Sequence, residues 1–386
     1  MDALLSWAHA KRPEITVFIR ELVECESPSD SPDSISRFFE LFAKSISDIA
    51  ESTIEHGVLL CRFGTGAGAA APQILALGHA DTVWPLGTLA GMPFREDGAR
   101  LCGPGVLDMK AGLAFFVFAM RALLELGMAV NHRVLLQINP DEETGSRASR
   151  PVTEASAKSS AAVFVLEPGT GLEGKVKTAR KGIGDYRVRV RGIASHAGVD
   201  FEKGASAIVE LARQIERIAS FTDVARGVTV NPGVISGGTR SNVIAAEAEA
   251  HVDIRVPTLR DAEELEKRFH ALSSFDPRCS IEISGGLNRP PMERSPGVAA
   301  LFETARRHAL ELGVQLEESS TGGGSDGNFT AALGIPTLDG IGAVGEGAHA
   351  SHESILIDRI PDRIALLARL IAGLPAEISR AMPLGT

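Results

Sequence analysis

Three short stretches of this chain are apolar almost from end to end: "QILALGH" (73–79), "RVLLQIN" (133–139) and "AAVFVLEP" (161–168). A strand with one wet face alternates apolar and polar residues, whereas a continuous apolar run must be covered on both faces. Around these runs, apolar residues recurring every three to four positions predict helices near 14–25, 34–49, 109–127, 297–312 and 359–373. Buried strands alternating with helices specify an α/β domain, a largely parallel mixed sheet with helices on both faces. Such sheets gather their ligands where the strands end at the carboxyl edge. The three runs end at His79, at Asp141–Glu143 and at Glu167.

From residue 183 the pattern changes. "DYRVRVRG" alternates as a half-buried strand, a helix follows at 205–219, and "GVTVNPGVI" and "AEAHVDIRV" read as two more strands. A helix at 260–272 and the strand "CSIEISG" complete a β-α-β-β-α-β order, that of a ferredoxin-like α+β unit. At 386 residues the chain is long for a single core. We therefore expect one domain from 1–182 and 292–386, and a second, inserted one at 183–291, joined through Gly182–Gly184 and Gly285–Pro291.

Charge and composition narrow the partners. A net charge of −10 disfavours nucleic acid, which needs an excess of Lys and Arg. No apolar run reaches the ~18 residues of a membrane span, and "MDALLSWAHAKRPE" lacks the pattern of a signal peptide, so a cytoplasmic protein is expected. Cys25, Cys61, Cys102 and Cys279 show no CxxC spacing and read as structural thiols.

Several short segments carry chemistry-bearing side chains. In "GHADTVWP" strand geometry puts His79 and Asp81 on one face, so the carboxylate could orient a metal-bound imidazole; the same pair also serves plain structure. In "CGPGVLDMKAG" Asp108 stands before a long helix, as an N-cap or as a carboxylate between two cations. In "PDEETGS" at most two of Asp141, Glu142 and Glu143 can share a cavity, one holding a metal and the other accepting a proton from water. Glu167 closes another strand, and "GEGAHASHES" offers His349 and His352. Two histidines with three or four carboxylates and no thiolate match the donor set of a paired Zn²⁺ site. Nucleotide binding finds no support, because neither GxGxxG after a strand nor GxxxxGK[ST] occurs.

These segments, with "ASHAG", "SNVIAAEAEAHVDIR", "TGGGSDGNF" and "GAHASHE", stand in the order seen in the M20 metallopeptidases, the di-zinc aminoacylase and carboxypeptidase group. The sequence resembles that family from about residue 14 to residue 373, and within it the glutamate carboxypeptidase branch. The resemblance implies that His79 and Glu167 hold one zinc, Glu143 and His349 the other, and that Asp108 bridges them. Co²⁺ or Mn²⁺ is expected to substitute. Glu142 would be the general base, Asp81 the partner of His79, and Asp141 a strand-end acid. The family spacing His-x-x-x-Glu fits His349 with Glu353 and leaves His352 a bystander. His196 in "ASHAG" would reach the neighbouring subunit's site and stabilise an oxyanion, so a homodimer through the inserted domain is implied.

The same resemblance gives Arg255 and Asn242 to the substrate's terminal carboxylate, Lys175 and Arg289 to a second carboxylate, and Thr321 and Gly324 to the facing loop. Lys177 stands where that branch is expected to carry a small hydroxyl residue. The expected activity is a metallocarboxypeptidase releasing glutamate from a small peptide or N-acyl amino acid. An N-acyl-amino-acid deacylase or desuccinylase is the alternative with the same metals, and a non-catalytic binding protein is the alternative without turnover.

Overall fold

The computed structural model describes residues 2–375, and the chain divides into two compact units. The first comprises Met1–Ala179, Arg294–Ser320 and Ser325–Thr386; the second comprises Arg180–Glu293 and Thr321–Gly324.

The first unit is built on a six-stranded sheet. Its order is Ala50–Glu55, Val58–Phe63, Arg133–Asn139, Gln73–His79, Ser160–Val165 and Thr337–Leu338. The last four run parallel, and the first two form an antiparallel hairpin at the edge. Every residue of Gln73–His79 is buried, which is why that run has no polar alternation. Ile74 and Ala76 face one core, with the helices Ala3–Glu24, Ala111–Glu125 and Ile360–Gly373; Leu75 and Leu77 face a second, which Ala157 and Val163 share. Ala111–Glu125 is buried almost all round, and Gly112 touches the sheet so closely that a Cβ there would lie 2.1 Å from the Leu166 carbonyl oxygen. That contact seats the helix against the residue before Glu167.

Helix ends differ from expectation at several places; the helix expected at 34–49 spans Pro32–Ser45. The first helix begins at Ala3, with Asp2 accepting from the Leu5 amide, and continues through Pro13. Its buried face, Leu4, Ala8, Ile15, Ile19 and Leu22, keeps helical spacing across the proline, so packing overrides the missing N–H. The expected helix at 109 begins at Ala111, preceded by a wide turn over Val106–Lys110 in which Asp108 has non-helical backbone. Among the described residues no helix is long and apolar enough to cross a membrane.

The second unit is a four-stranded antiparallel sheet in the order Thr229–Gly237, Glu247–Val256, Gly182–Arg191, Ser280–Arg289, with the helices Ala207–Ala219 and Leu259–His270. This is the β-α-β-β-α-β order, and its core alternates along the strands, Tyr186, Val188 and Val190 beside Val252 and Ile254, with Phe269 of the second helix packed on them. The glycines expected as linkers lie inside strands instead. Gly182 and Gly184 pair with Val256 and Ile254, and a Cβ on Gly184 would sit 2.5 Å from the Gly286 carbonyl oxygen. They serve close strand contact rather than flexibility.

Candidate metal centre

Three neighbouring parallel strands deliver the centre of the site. Gln73–His79 lies between Arg133–Asn139 and Ser160–Val165, and His79 pairs in register with Asn139. The chain beyond Asn139 turns back at once, so Glu142 and Glu143 sit in a single short turn at the sheet edge. Asp141 organises that turn: its carboxylate accepts from the amides of Ala148 and Ser149, and its carbonyl from Thr144 and Ser146.

Two triples of side chains share Asp108. His79 Nε2 lies 3.2 Å from Asp108 Oδ1 and 3.5 Å from Glu167 Oε1. His349 Nε2 lies 3.4 Å from the other oxygen, Asp108 Oδ2, and 3.2 Å from Glu143 Oε1. Ligand atoms of His79, Glu142 and Glu167 also fall within 4.8 Å of one another, so Glu142 stands beside the first triple. His79 is 1% exposed and Glu167 7%, whereas His349 reaches the group from an exposed loop. His349 adopts left-handed backbone, φ 62°, a conformation that costs a non-glycine residue energy and recurs at functional positions. His352 is exposed and lies against Gly347.

Electrostatics follow the same grouping. Burial alone would lower the His79 pKa, but hydrogen bonds to Asp108, Asp81 and Glu167 raise it well above 6.5. Hydrogen bonds to Asp108 and Glu143 lift His349 to about 10. Burial would raise Asp108, yet His349 and His79 hold its carboxyl well below the usual range. Burial pushes Glu143 up against the opposing pull of His349.

The residues present fit a pair of divalent cations. Four carboxyl groups, those of Asp108, Glu142, Glu143 and Glu167, gather with two imidazoles. The donors are N and O without a thiolate, the set that suits Zn²⁺ and its borderline relatives.

Asp81 has a different task from orienting His79 alone. The strand ends at His79, and the imidazole Nδ1 meets the main-chain carbonyl of Asp81 at 2.9 Å, with the nearest carboxylate oxygen at 3.5 Å. The fully buried carboxylate instead accepts the amides of Glu142 and Glu143, each at 3.1 Å, and the Ser29 hydroxyl at 2.7 Å. It therefore anchors the two acids to the strand that carries His79.

In sequence Glu353 stands only as the end of the His-x-x-x-Glu spacing. It is fully buried, and its carboxylate accepts from three main-chain amides around Asp108 and from the Trp84 indole. An acid four residues after a histidine carries no marker of that role in sequence.

The remaining candidate residues are divided between the two units. Lys175 belongs to the first unit, where its ammonium is paired with Glu317 at 2.6 Å. Lys177 is buried, and its Nζ donates to the Pro168 carbonyl next to Glu167. In the second unit His196 is exposed, its Nδ1 accepts from the Gly198 amide, and the Asn242 carbonyl accepts from Ala197. Arg255 and Arg289 both pair with Ile183, one on each neighbouring strand, so all three side chains leave the same face of the sheet. Arg255 holds Asp253 bidentately and approaches the Gly322 carbonyl at 3.4 Å. A Cβ on Gly324 would meet Ile183 at 2.7 Å and Arg289 at 3.0 Å, which places the Thr321–Gly324 segment over that face. Arg180, unassigned from sequence, is buried and donates to the carbonyls of Gly323 and Gly324.

Comparisons with known proteins agree with this architecture. Carboxypeptidase G2 of Pseudomonas sp. (strain RS-16) is 29% identical over 384 residues, spanning 97% of this chain and 92% of the relative. A succinyl-diaminopimelate desuccinylase of Delftia acidovorans is 29% identical over 314 residues, covering 76% and 79%. Among solved structures, aminopeptidase PepT from Bacillus cereus superposes with a TM-score of 0.75 at 22% identity, over 94% of this chain and 98% of that one. The YXEP protein of Bacillus subtilis, a dinuclear metal binding peptidase from the M20 family, gives 0.70 at 15% identity, over 95% and 99%. At these identities the two structures show the fold. The model of peptidase family M20/M25/M40 matches residues 75–373, and the chain belongs to that family.

Proposed function

We propose that this M20 peptidase is a zinc-dependent carboxypeptidase that cleaves a C-terminal amide bond and releases an amino acid, with glutamate the preferred residue. The supporting observation is the division of ligands about Asp108, one oxygen toward His79 and the other toward His349. His79 and Glu167 would hold one ion, Glu143 and His349 the other, with Asp108 between. Bound there, two Zn²⁺ ions supply a water of lowered pKa and an electrophile for the scissile carbonyl. Glu142 takes the water's proton as its oxygen bonds to the carbonyl carbon. The same carboxyl then passes the proton to the leaving amine as the C–N bond breaks, giving a carboxylic acid and a free amino acid. Asp81 positions Glu142 through its amide. His196 is read as the oxyanion's donor: its Nδ1 is engaged by Gly198, so the proton resides on Nε2.

Specificity rests on the second unit. Arg255, with Asn242, is assigned to the α-carboxylate, and Arg289 to a second carboxylate, because their common face and level suit a dicarboxylate spanning roughly two strand spacings of ~4.8 Å. Lys175 contributes only by exchanging Glu317 for substrate. Thr321 and Gly324 are assigned to the same loop, in which Gly324 lies beside Arg289. We place the protein in the cytoplasm as a homodimer through the second unit, whose edge strand Thr229–Gly237 exposes Val234 and Ile235.

The test is release of free amino acid from N-blocked glutamate, aspartate, alanine and leucine, with and without chelator, by wild type and Arg289→Ala. Chelator-sensitive release of glutamate, lost selectively in the variant by roughly 2–5 kcal/mol in kcat/KM, is expected. Preference for neutral residues, with Arg289→Ala affecting all substrates equally, would remove the glutamate assignment. Turnover confined to N-succinyl substrates would favour the desuccinylase, and no turnover by metal-loaded protein would favour a binding protein.

A further inference from the structure

The segment bearing Asp108 and the loop bearing His349 are far apart in sequence, and one carboxylate joins them. Glu353 Oε2 accepts from Trp84 Nε1 at 2.8 Å and from the Gly105 amide at 2.9 Å. Its Oε1 accepts from the amides of Leu107 at 2.9 Å and Asp108 at 3.1 Å. An ionised carboxylate offers about four lone-pair sites, and four donors occupy them. The main chain repeats the tie: the Gly103 amide donates to the Glu353 carbonyl, and Ser354 pairs with Cys102 across an antiparallel ladder. On the other side, the Glu353 amide donates to Ala350 and the Ala350 amide to Gly347, so a closed turn links Glu353 to His349.

From this geometry we infer that Glu353 is a positioning residue that fixes the Asp108 segment against the His349 loop and so sets the affinity of the second metal position, the one between Asp108, Glu143 and His349. The inference rests on the metal reading above. His79 and Glu167 stand at or just beyond the ends of sheet strands, and His349 stands on a loop, so loosening the Glu353 tie falls on the His349 side. An amide cannot replace the carboxylate here. Glutamine has one acceptor oxygen and directs an N–H toward one pair of the four donors, whichever way it is turned.

The experiment is titration of metal-free protein with Co²⁺, followed by the visible spectrum and by calorimetry, alongside thermal melting without metal. Wild type is expected to bind two equivalents. Glu353→Gln is expected to bind the first within a few-fold of wild type and the second ~10–100-fold more weakly, the scale of outer-shell partners. Two equivalents bound as in wild type, with only the metal-free melting temperature lowered, would overturn the inference by making Glu353 purely structural. Equal weakening of both equivalents would also overturn it. If Glu353→Gln does not fold, Trp84→Phe, which removes one of the four donors and keeps an aromatic ring, decides. It should weaken the second equivalent alone, by less, and unchanged binding would count against the proposal. A wild-type protein that binds fewer than two ions would refute the metal reading itself, before any variant is compared.

Discussion

Replacing Asp81 by asparagine tests how the acids are held. The native carboxylate is fully buried, with Oδ1 on the Glu142 amide and Oδ2 on the Glu143 amide and Ser29 hydroxyl. Asparagine is nearly the same size, so no cavity forms, but it has one oxygen where two are used. Whichever way the amide turns, one main-chain N–H at 3.1 Å faces an NH₂ group. That orphans a buried donor and replaces charge-assisted hydrogen bonds by neutral ones, about 2–4 kcal/mol in all. At about 2–4 °C per kcal/mol for a domain of this size, the melting temperature of metal-free protein should fall by several degrees. Ser29→Ala, which removes one hydroxyl donor and leaves both amides paired, should cost about 1 kcal/mol. Differential scanning calorimetry of the metal-free forms measures both. Because the freed turn carries Glu142, kcat should fall for Asp81→Asn even at saturating metal. Unchanged melting and turnover in Asp81→Asn would refute the anchoring role drawn from these distances.

Glu142→Gln should retain both metals and lose at least ~10²-fold in kcat, whereas Asp141→Asn, whose oxygen can still accept the Ala148 amide, should stay close to wild type; steady-state kinetics with metal analysis separates the two. Metal binding at pH 7 should expel protons, because His79 and His349 are both raised and must become neutral to ligate. Calorimetry in buffers of different ionisation enthalpy should show this, and buffer-independent heats would contradict it. A raised histidine pKa stabilises the metal-free fold fully below 6.5, and that part is lost as pH climbs through about 10, so the metal-free melting temperature should decline between pH 7 and 10. Mixing inactive His196→Ala and Glu142→Gln chains should restore activity in re-annealed dimers if His196 acts across subunits; hybrids proven by mass spectrometry yet inactive would place it elsewhere.

The sheet was legible because its strands had to be: "QILALGH" and "RVLLQIN" form strands with the bounds of the quoted runs, since their apolar interiors are buried on both faces. The positions of His79, Asp141–Glu143 and Glu167 followed from those ends. The helices Arg150–Lys158 and Gly327–Ala332 were not anticipated, being short and marked by buried Thr153, Asn328 and Thr330 rather than an apolar stripe. What Asp81 and Glu353 do was hidden for a related reason. Each acts on main-chain amides, and an amide acceptor has no sequence signature because every non-proline residue offers the same donor. The linkers were misplaced because glycine marks close backbone approach as readily as freedom.

The order of the proposed ligands along the chain bears on how the protein comes off the ribosome. His79, Asp108, Glu143 and Glu167 all precede the second unit, and His349 follows it. Domains fold largely as units while synthesis proceeds from the N-terminus, so the inserted unit emerges while the triple closed by His349 is still open. The sheet that carries His79 is itself completed by Thr337–Leu338 and covered by Ile360–Gly373, so the first unit, and with it the proposed metal site, closes only after the inserted unit has been made. On the proposed metal reading, occupancy by two ions would be a timestamp, marking a chain completed and folded through the loop that carries His349.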